Sequence, residues 1–231
     1  MVHQVQSNPG LVGQILENKG YVLDVCCPAT GDRLPSTLEP YAGVVVFGGP
    51  MSANDQDTLP FIKAELDWLP QVLASQTPFL GICLGAQLLA RSLGGTVAPH
   101  VNRQVEIGYF PLEATPEGRS LLDPISHVYH WHREGFDLPT GAVLLATGET
   151  FPNQAFRYGP SAYGFQFHPE ITADLIDQWT TKAADQLTQP GAQSQQCQFD
   201  QHRQHGTAVK DWLQRFLDQW LQTPAVVFPQ R

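Results

Sequence analysis

A cysteine side chain becomes a catalyst when the backbone presents it to a substrate, the surroundings favour its thiolate, and a base stands nearby. The segment Gly81-Ile82-Cys83-Leu84-Gly85-Ala86-Gln87 meets the first two conditions. Residues 78–82 read as a buried apolar strand, and residues 84–93 as a helix closed by Gly94-Gly95. Cys83 therefore stands on a sharp strand-to-helix turn, the geometry of a nucleophile elbow. The small residues Gly81, Gly85 and Ala86 let the chain turn tightly and let a substrate approach. The unpaired N–H groups and positive dipole end of the following helix favour negative charge on the sulfur. Without those glycines, a strand-end cysteine reads as a small buried apolar residue.

Eight histidines could serve as its base. His168 stands out through its setting, Gly164-Phe165-Gln166-Phe167-His168-Pro169-Glu170. An apolar strand delivers it to a carboxyl end, where open α/β sheets collect their ligand sites. Pro169 keeps the preceding residue extended. Residues two apart in an extended segment face the same side, so the Glu170 carboxylate can reach the imidazole and orient it. On its own His-Pro-Glu is also compatible with a plain strand-end turn. Beside the cysteine elbow it reads as base and orienting group. Acyl chemistry further needs donors for a developing oxyanion. The Leu84 N–H, immediately after the cysteine, is one. Gly48-Gly49-Pro50 ends a neighbouring strand, and because proline has no N–H, Gly49 is the second candidate. A simple loop after a strand is the competing reading there.

The elements that would carry these groups alternate in the manner of βαβ units. Leu11, Ile15 and Leu16 mark a helix that Gly20 stops, and residues 21–25 read as a strand. Val44-Val45-Val46-Phe47 reads as a buried parallel strand. Leu59, Ile62, Leu66, Leu69 and Leu73 form one apolar helix face. From Thr96 onward the pattern shortens to candidate strands at 105–111, 128–131, 142–147, 153–158 and 162–167, expected as antiparallel additions. Helices are expected at 171–187 and 209–221. The glutamine-rich stretch between them, 189–204, reads as a surface connection. The expectation is thus one α/β domain over residues 1–231, with 188–231 a loop-and-helix extension.

Composition narrows the function. The chain has 231 residues, 42% of them hydrophobic, enough for one well-buried core. A formal net charge of −9 offers no basic footprint for nucleic acid or an anionic membrane surface. No segment approaches the roughly 18 consecutive apolar residues of a membrane span. The N-terminal residues lack the pattern of a secretion signal, so the cytoplasm is expected. Four cysteines stand at 26, 27, 83 and 197 with no metal-like spacing.

The three blocks at 48–50, 81–87 and 167–170 occur in the order found in class I glutamine amidotransferases. The chain resembles above all the stand-alone relatives of the amidotransferase domain of GMP synthase, although its first apolar run is short for that family. The resemblance implies a three-layer, doubly wound, flavodoxin-like fold with a mostly parallel sheet. It also implies a γ-glutamyl thioester on Cys83, release of ammonia, and hydrolysis to glutamate without a cofactor. Gln87 is implied in holding the amino-acid end of the substrate. Residues 130–136, His-Trp-His-Arg-Glu-Gly-Phe, are similar to the substrate-side loop of the family, which makes His132 and Arg133 substrate-binding candidates. His127, His130 and His132 match no zinc spacing, and no metal is expected. The same triad would serve a γ-glutamyl peptide hydrolase, or survive in a regulatory module without turnover. A synthase subunit is the partner expected of an ammonia-releasing enzyme.

Overall fold

In a computed structural model, residues 1–222 are described. A six-stranded mixed sheet runs through the middle in the order β1-β2-β10-β9-β8-β5. Its parallel half consists of β1 (Val44–Val46), β2 (Phe79–Ile82) and β10 (Ala162–Phe165). The antiparallel additions are β9 (Ala155–Tyr158), β8 (Ala142–Thr147) and β5 (Glu113–Ala114). Two ribbons lie outside it. One pairs β3 (Val97–Pro99) with β7 (Glu134–Phe136), and the other pairs β4 (Glu106–Pro111) with β6 (His127–His132).

Side chains alternate across the central strands, so each face has its own core. On one face Leu80, Ile82 and Phe165 meet α1 (Gly10–Asn18) and α6 (Gln195–Gln222). Val209, Trp212, Leu213, Phe216, Leu217 and Trp220 form the buried stripe of α6. On the other face Val46, Phe79 and Phe156 meet α2 (Pro60–Ser75) and α3 (Leu84–Ser92). A short α4 (Arg119–Leu122) and α5 (Ala173–Lys182) complete the helices among the described residues. The result is an α/β fold of helix layer, sheet and helix layer. No helix among the described residues is long and apolar enough to cross a membrane.

Sequence expectations are corrected at three places. Of the segments expected as antiparallel additions, 162–167 pairs in parallel with β2 as β10, and 105–111 and 128–131 form a ribbon outside the sheet. Residues 21–25 form no strand. The edge of β1 is occupied instead by the first residues of the chain: the Met1 nitrogen donates to the Val45 carbonyl at 2.7 Å, and the Phe47 N–H to the Met1 carbonyl at 3.1 Å. The 21–25 segment lies outside them, where Val22 is largely exposed and the link to the first residues is the neighbouring Cys26 carbonyl, which accepts from the Val2 N–H.

The glutamine-rich stretch is more than a surface connection, because α6 already begins at Gln195. The Gln193 side chain accepts from the Tyr109 N–H and donates to the Tyr109 carbonyl, copying a strand partner along β4. Gln198 is fully buried, accepting from the Tyr129 hydroxyl at 2.7 Å and donating to the Gln193 carbonyl at 2.9 Å. A glutamine can satisfy a main-chain N–H and C=O together, and composition alone does not reveal that use. Residues 223–231 of the expected extension lie outside the described residues.

Candidate active site

Strand β2 ends at Ile82 and α3 begins at Leu84, leaving one residue to make the turn. Cys83 makes it with φ +50° and ψ −105°, a conformation that L residues seldom hold without support. The support is local. The Cys83 N–H donates to the Phe165 carbonyl at 2.7 Å, and the Cys83 carbonyl accepts from the Gln87 N–H at 3.0 Å. Gly85 allows α3 to lie directly on β1, since a β-carbon there would fall 2.0 Å from the Val46 carbonyl oxygen. As the first residue of α3, Leu84 has an N–H with no intrahelical acceptor.

His168 follows β10 and enters the site held by its main chain, whose N–H donates to the Tyr129 carbonyl at 2.7 Å. Its Nδ1 lies 2.7 Å from Oε1 of Glu170, with both side chains buried. Its other ring nitrogen, Nε2, is buried without a hydrogen-bond partner among the described residues. The edge of Trp179 closes one side, with ring centroids 4.9 Å apart. Gly48 separates the imidazole from the elbow: a β-carbon there would lie 2.8 Å from Cε1 of His168 and 3.4 Å from Cβ of Cys83. Cysteine, histidine and glutamate are therefore brought together at the ends of β1, β2 and β10. Strand β6 braces them, with its Tyr129 carbonyl on His168 and its Trp131 carbonyl 3.9 Å from the Cys83 sulfur.

Burial alone would push the His168 imidazole down. The charges of Glu170 and Cys83, with the hydrogen bond to Glu170, outweigh it and raise the imidazole to about 10. A histidine held this way keeps its proton beside the Cys83 sulfur, an arrangement that suits a sulfur nucleophile.

The other residues singled out in the sequence take different places. Gly49 is partly exposed beside Leu84, and its N–H has no acceptor among the described residues. The Gln87 amide donates to the Glu134 carbonyl at 2.9 Å and to Oε1 of Gln166 at 3.2 Å. His132 reaches the same Glu134 carbonyl through Nδ1 at 2.9 Å, while its Nε2 lies 3.0 Å from Oε2 of Glu106. Both side chains thus fasten the turn from β6 into β7. Arg133, between them in sequence, is exposed and has no side-chain partner among the described residues.

Sequence spacing missed Glu106, which register brings in. Strand pairing sets Glu106 opposite His132, and His130 joins them, so that three buried ligand-type atoms lie within 4.8 Å of one another. This is the one group among the described residues with the make-up to hold a metal ion. The same atoms have hydrogen-bonding partners without one. Oε2 of Glu106 faces His132, His130 and the Gln154 amide, the last at 2.8 Å. Burial opposes ionisation of Glu106, but these neighbours outweigh it and hold the carboxyl at about 2.

A family model, glutamine amidotransferase class-I, matches residues 11–184. The chain belongs to the class I glutamine amidotransferase family. Glutamine amide hydrolysis is the general chemistry of these enzymes. The chain is 32% identical over 187 residues to the glutamine amidotransferase-like protein YfeJ of Salmonella typhimurium, covering 77% of each. It is 33% identical over 162 residues to the GMP synthase [glutamine-hydrolyzing] of Prochlorococcus marinus. That match takes in 68% of this chain but only 29% of the synthase. A glutamine amidotransferase from Methylobacillus flagellatus has the same fold, with a TM-score of 0.89 at 26% identity over 100% of this chain and 96% of the other. A further one, from Thermotoga maritima, gives 0.86 at 29% identity over 96% of each.

Proposed function

We propose that the protein hydrolyses the side-chain amide of glutamine through a γ-glutamyl thioester on Cys83, with His168 as base and acid and Glu170 as its orienting carboxylate. One observation carries this reading: His168 has Nδ1 fixed on Glu170 and Nε2 left without a partner beside the elbow. In the first half-reaction the Cys83 sulfur, its proton held by His168, attacks the amide carbon of glutamine. The carbonyl oxygen becomes an oxyanion between the N–H groups of Leu84 and Gly49. Collapse of this intermediate breaks the C–N bond, and His168 returns the proton to the departing ammonia. Water, deprotonated by His168, then attacks the thioester and releases glutamate with the free thiol.

Gln87 and His132 contribute to binding at one remove, by holding the Glu134 carbonyl and so the loop that carries Arg133. The exposed guanidinium suits the α-carboxylate of the substrate, which it can grip with two parallel hydrogen bonds. The ammonia then passes to an acceptor on a synthase partner docked over the elbow. The support for that step is the GMP synthase likeness, in which the matched region is under a third of the synthase chain.

The test is a substrate panel on the purified protein. Ammonia release from glutamine, with a covalent glutamyl adduct mapped to Cys83 by mass spectrometry, is the expected result. Rapid cleavage of γ-glutamyl dipeptides with negligible glutamine turnover would replace the amidotransferase reading with a peptide hydrolase. Adduct on Cys26, Cys27 or Cys197 in place of Cys83 would overturn the assignment of the nucleophile.

A further inference from the structure

Gly48 and Gly49 lie between two imidazoles. His168 closes on Gly48 from one side, and on the other a β-carbon added to Gly49 would fall 2.8 Å from Cβ of His3. His3 is buried and pairs with a buried carboxylate from α2: its Nε2 lies 3.0 Å from Oε2 of Glu65. Its Nδ1 lies 3.1 Å from the Gly48 carbonyl oxygen. The chemistry proposed above uses neither residue.

The protons follow from the partners. A carbonyl oxygen only accepts, so Nδ1 of His3 carries hydrogen. One proton also lies between Nε2 and the Glu65 carboxyl, on either atom, and both arrangements leave Nδ1 as the donor. The Gly48–Gly49 peptide is trans, since the one cis peptide among the described residues is at Asp123-Pro124. In a planar trans peptide the C=O and N–H point in opposite directions. With the Gly48 oxygen drawn to His3, the Gly49 N–H is turned away from His3, toward the side on which Cys83 and His168 lie. Reversing this peptide would strip the Gly48 carbonyl of its donor and aim it at the place where negative charge develops.

We infer that His3 and Glu65 are positioning residues: a clamp that holds the Gly48–Gly49 peptide with its N–H offered to the oxyanion. The inference rests on the proposed roles of Cys83 and Gly49. It adds that this half of the oxyanion hole is formed before any partner docks, so glutamine hydrolysis is not gated by a flip of this peptide.

The experiment compares the full-length wild type with His3→Phe, His3→Asn and the double variant His3→Phe/Glu65→Leu. Each is assayed for kcat and KM on glutamine, for inhibition by glutamate γ-semialdehyde, and for the rate of Cys83 alkylation by iodoacetamide. The semialdehyde adds to a thiolate to give a tetrahedral oxyanion, whereas alkylation forms none. Losing one oxyanion donor typically costs about 10²–10³ in kcat. His3→Phe should show a loss of that order, with a parallel weakening of the semialdehyde, KM within a few-fold, and alkylation unchanged. His3→Asn, whose amide can take the place of Nδ1, should recover most of the loss.

If His3→Phe leaves Glu65 unpaired and does not fold, the double variant removes both polar partners at similar volume and should show the same pattern. A folded phenylalanine variant with wild-type kcat and semialdehyde affinity overturns the clamp. So does a loss that slows alkylation and raises KM equally, which marks a general structural role. Failure of the underlying reading looks different: the wild type itself would turn over no glutamine, or would take its label elsewhere than Cys83.

Discussion

Two buried histidine–glutamate pairs flank one glycine dipeptide, and they differ in what the second ring nitrogen meets. In His168–Glu170 the carboxylate takes Nδ1, and Nε2 is left without a partner beside Cys83. In His3–Glu65 the carboxylate takes Nε2, and Nδ1 is bound to the Gly48 carbonyl. A carboxylate beside a buried imidazole is therefore not by itself a catalytic signature. Chemistry requires a nitrogen left open at the place where a proton must be exchanged, and an imidazole with both nitrogens engaged can only position something. Glu106 with His132 belongs to the second kind, because the far nitrogen of His132 is bound to the Glu134 carbonyl.

The largest expected effects come from breaking the open pair. Cys83→Ala should abolish glutamine hydrolysis with the fold retained, because its neighbours provide the packing and only the thiol forms the thioester. His168→Asn should follow closely, with kcat down by about 10²–10⁴, the usual worth of general acid–base catalysis. A folded Cys83→Ala protein that still released ammonia at the wild-type rate in a coupled assay would dismiss the thioester route altogether.

Glu170→Gln should do less, since an amide can still accept from Nδ1 and keep the ring in place while its negative charge is lost. The expected order of kcat is wild type, then Glu170→Gln, then His168→Asn. Finding the glutamine variant below the asparagine variant would reverse the roles given to the two residues. Gly48→Ala tests the space between the pairs, because its β-carbon would fall 2.8 Å from Cε1 of His168. The imidazole must yield by several tenths of an ångström, and kcat should fall with little change in Tm. Unchanged kinetics would mean that the ring moves aside at no cost.

Local motifs made the open pair legible in the sequence. Cys83 is announced by the glycines around it, and His168 and Glu170 stand two apart in an extended segment, so residue spacing alone brings them together. The pair formed by His3 and Glu65 is joined across 62 positions by the packing of the first residues and α2 on β1, which no spacing encodes. Glu106 likewise reaches His132 only through the antiparallel register of β4 and β6. The parallel strands β1 and β2 and the apolar faces of the helices were readable from the apolar pattern, whereas β10 was expected as an antiparallel addition and is parallel to β2. Residues 21–25 were not, because an apolar run does not say whether another segment already occupies the sheet edge. The first turns of α6 were hidden for a different reason. Gln193, just before α6, partners the main chain of β4, and Gln198 is buried on the Tyr129 hydroxyl; a polar stretch of that kind carries no apolar period.

The smallest effect expected is on stability, and it separates the two pairs by pH. The folded protein raises His168 from its ordinary value of 6.5 to about 10: burial opposes this, and the charges of Glu170 and Cys83 outweigh burial. A group whose proton is held more tightly in the folded state stabilises that state fully below the unfolded value. The contribution declines as pH rises, because the unfolded chain has already released the proton that the folded chain retains. Between pH 6.5 and about 10 the His168 contribution should thus fall with pH, by at most about 1.4 kcal/mol per unit for one proton. Subtracting a His168→Asn variant from the wild type at each pH removes the titration of every other group that the two share. The stability difference from urea unfolding should shrink steadily from pH 7 to 9.5. Adding Cys83→Ala to both proteins should flatten that slope, since the sulfur is one of the charges that raise His168. A difference that stays constant over this range would mean that folding takes up no net proton at the pair, the proton on His168 being the one that Cys83 has given up.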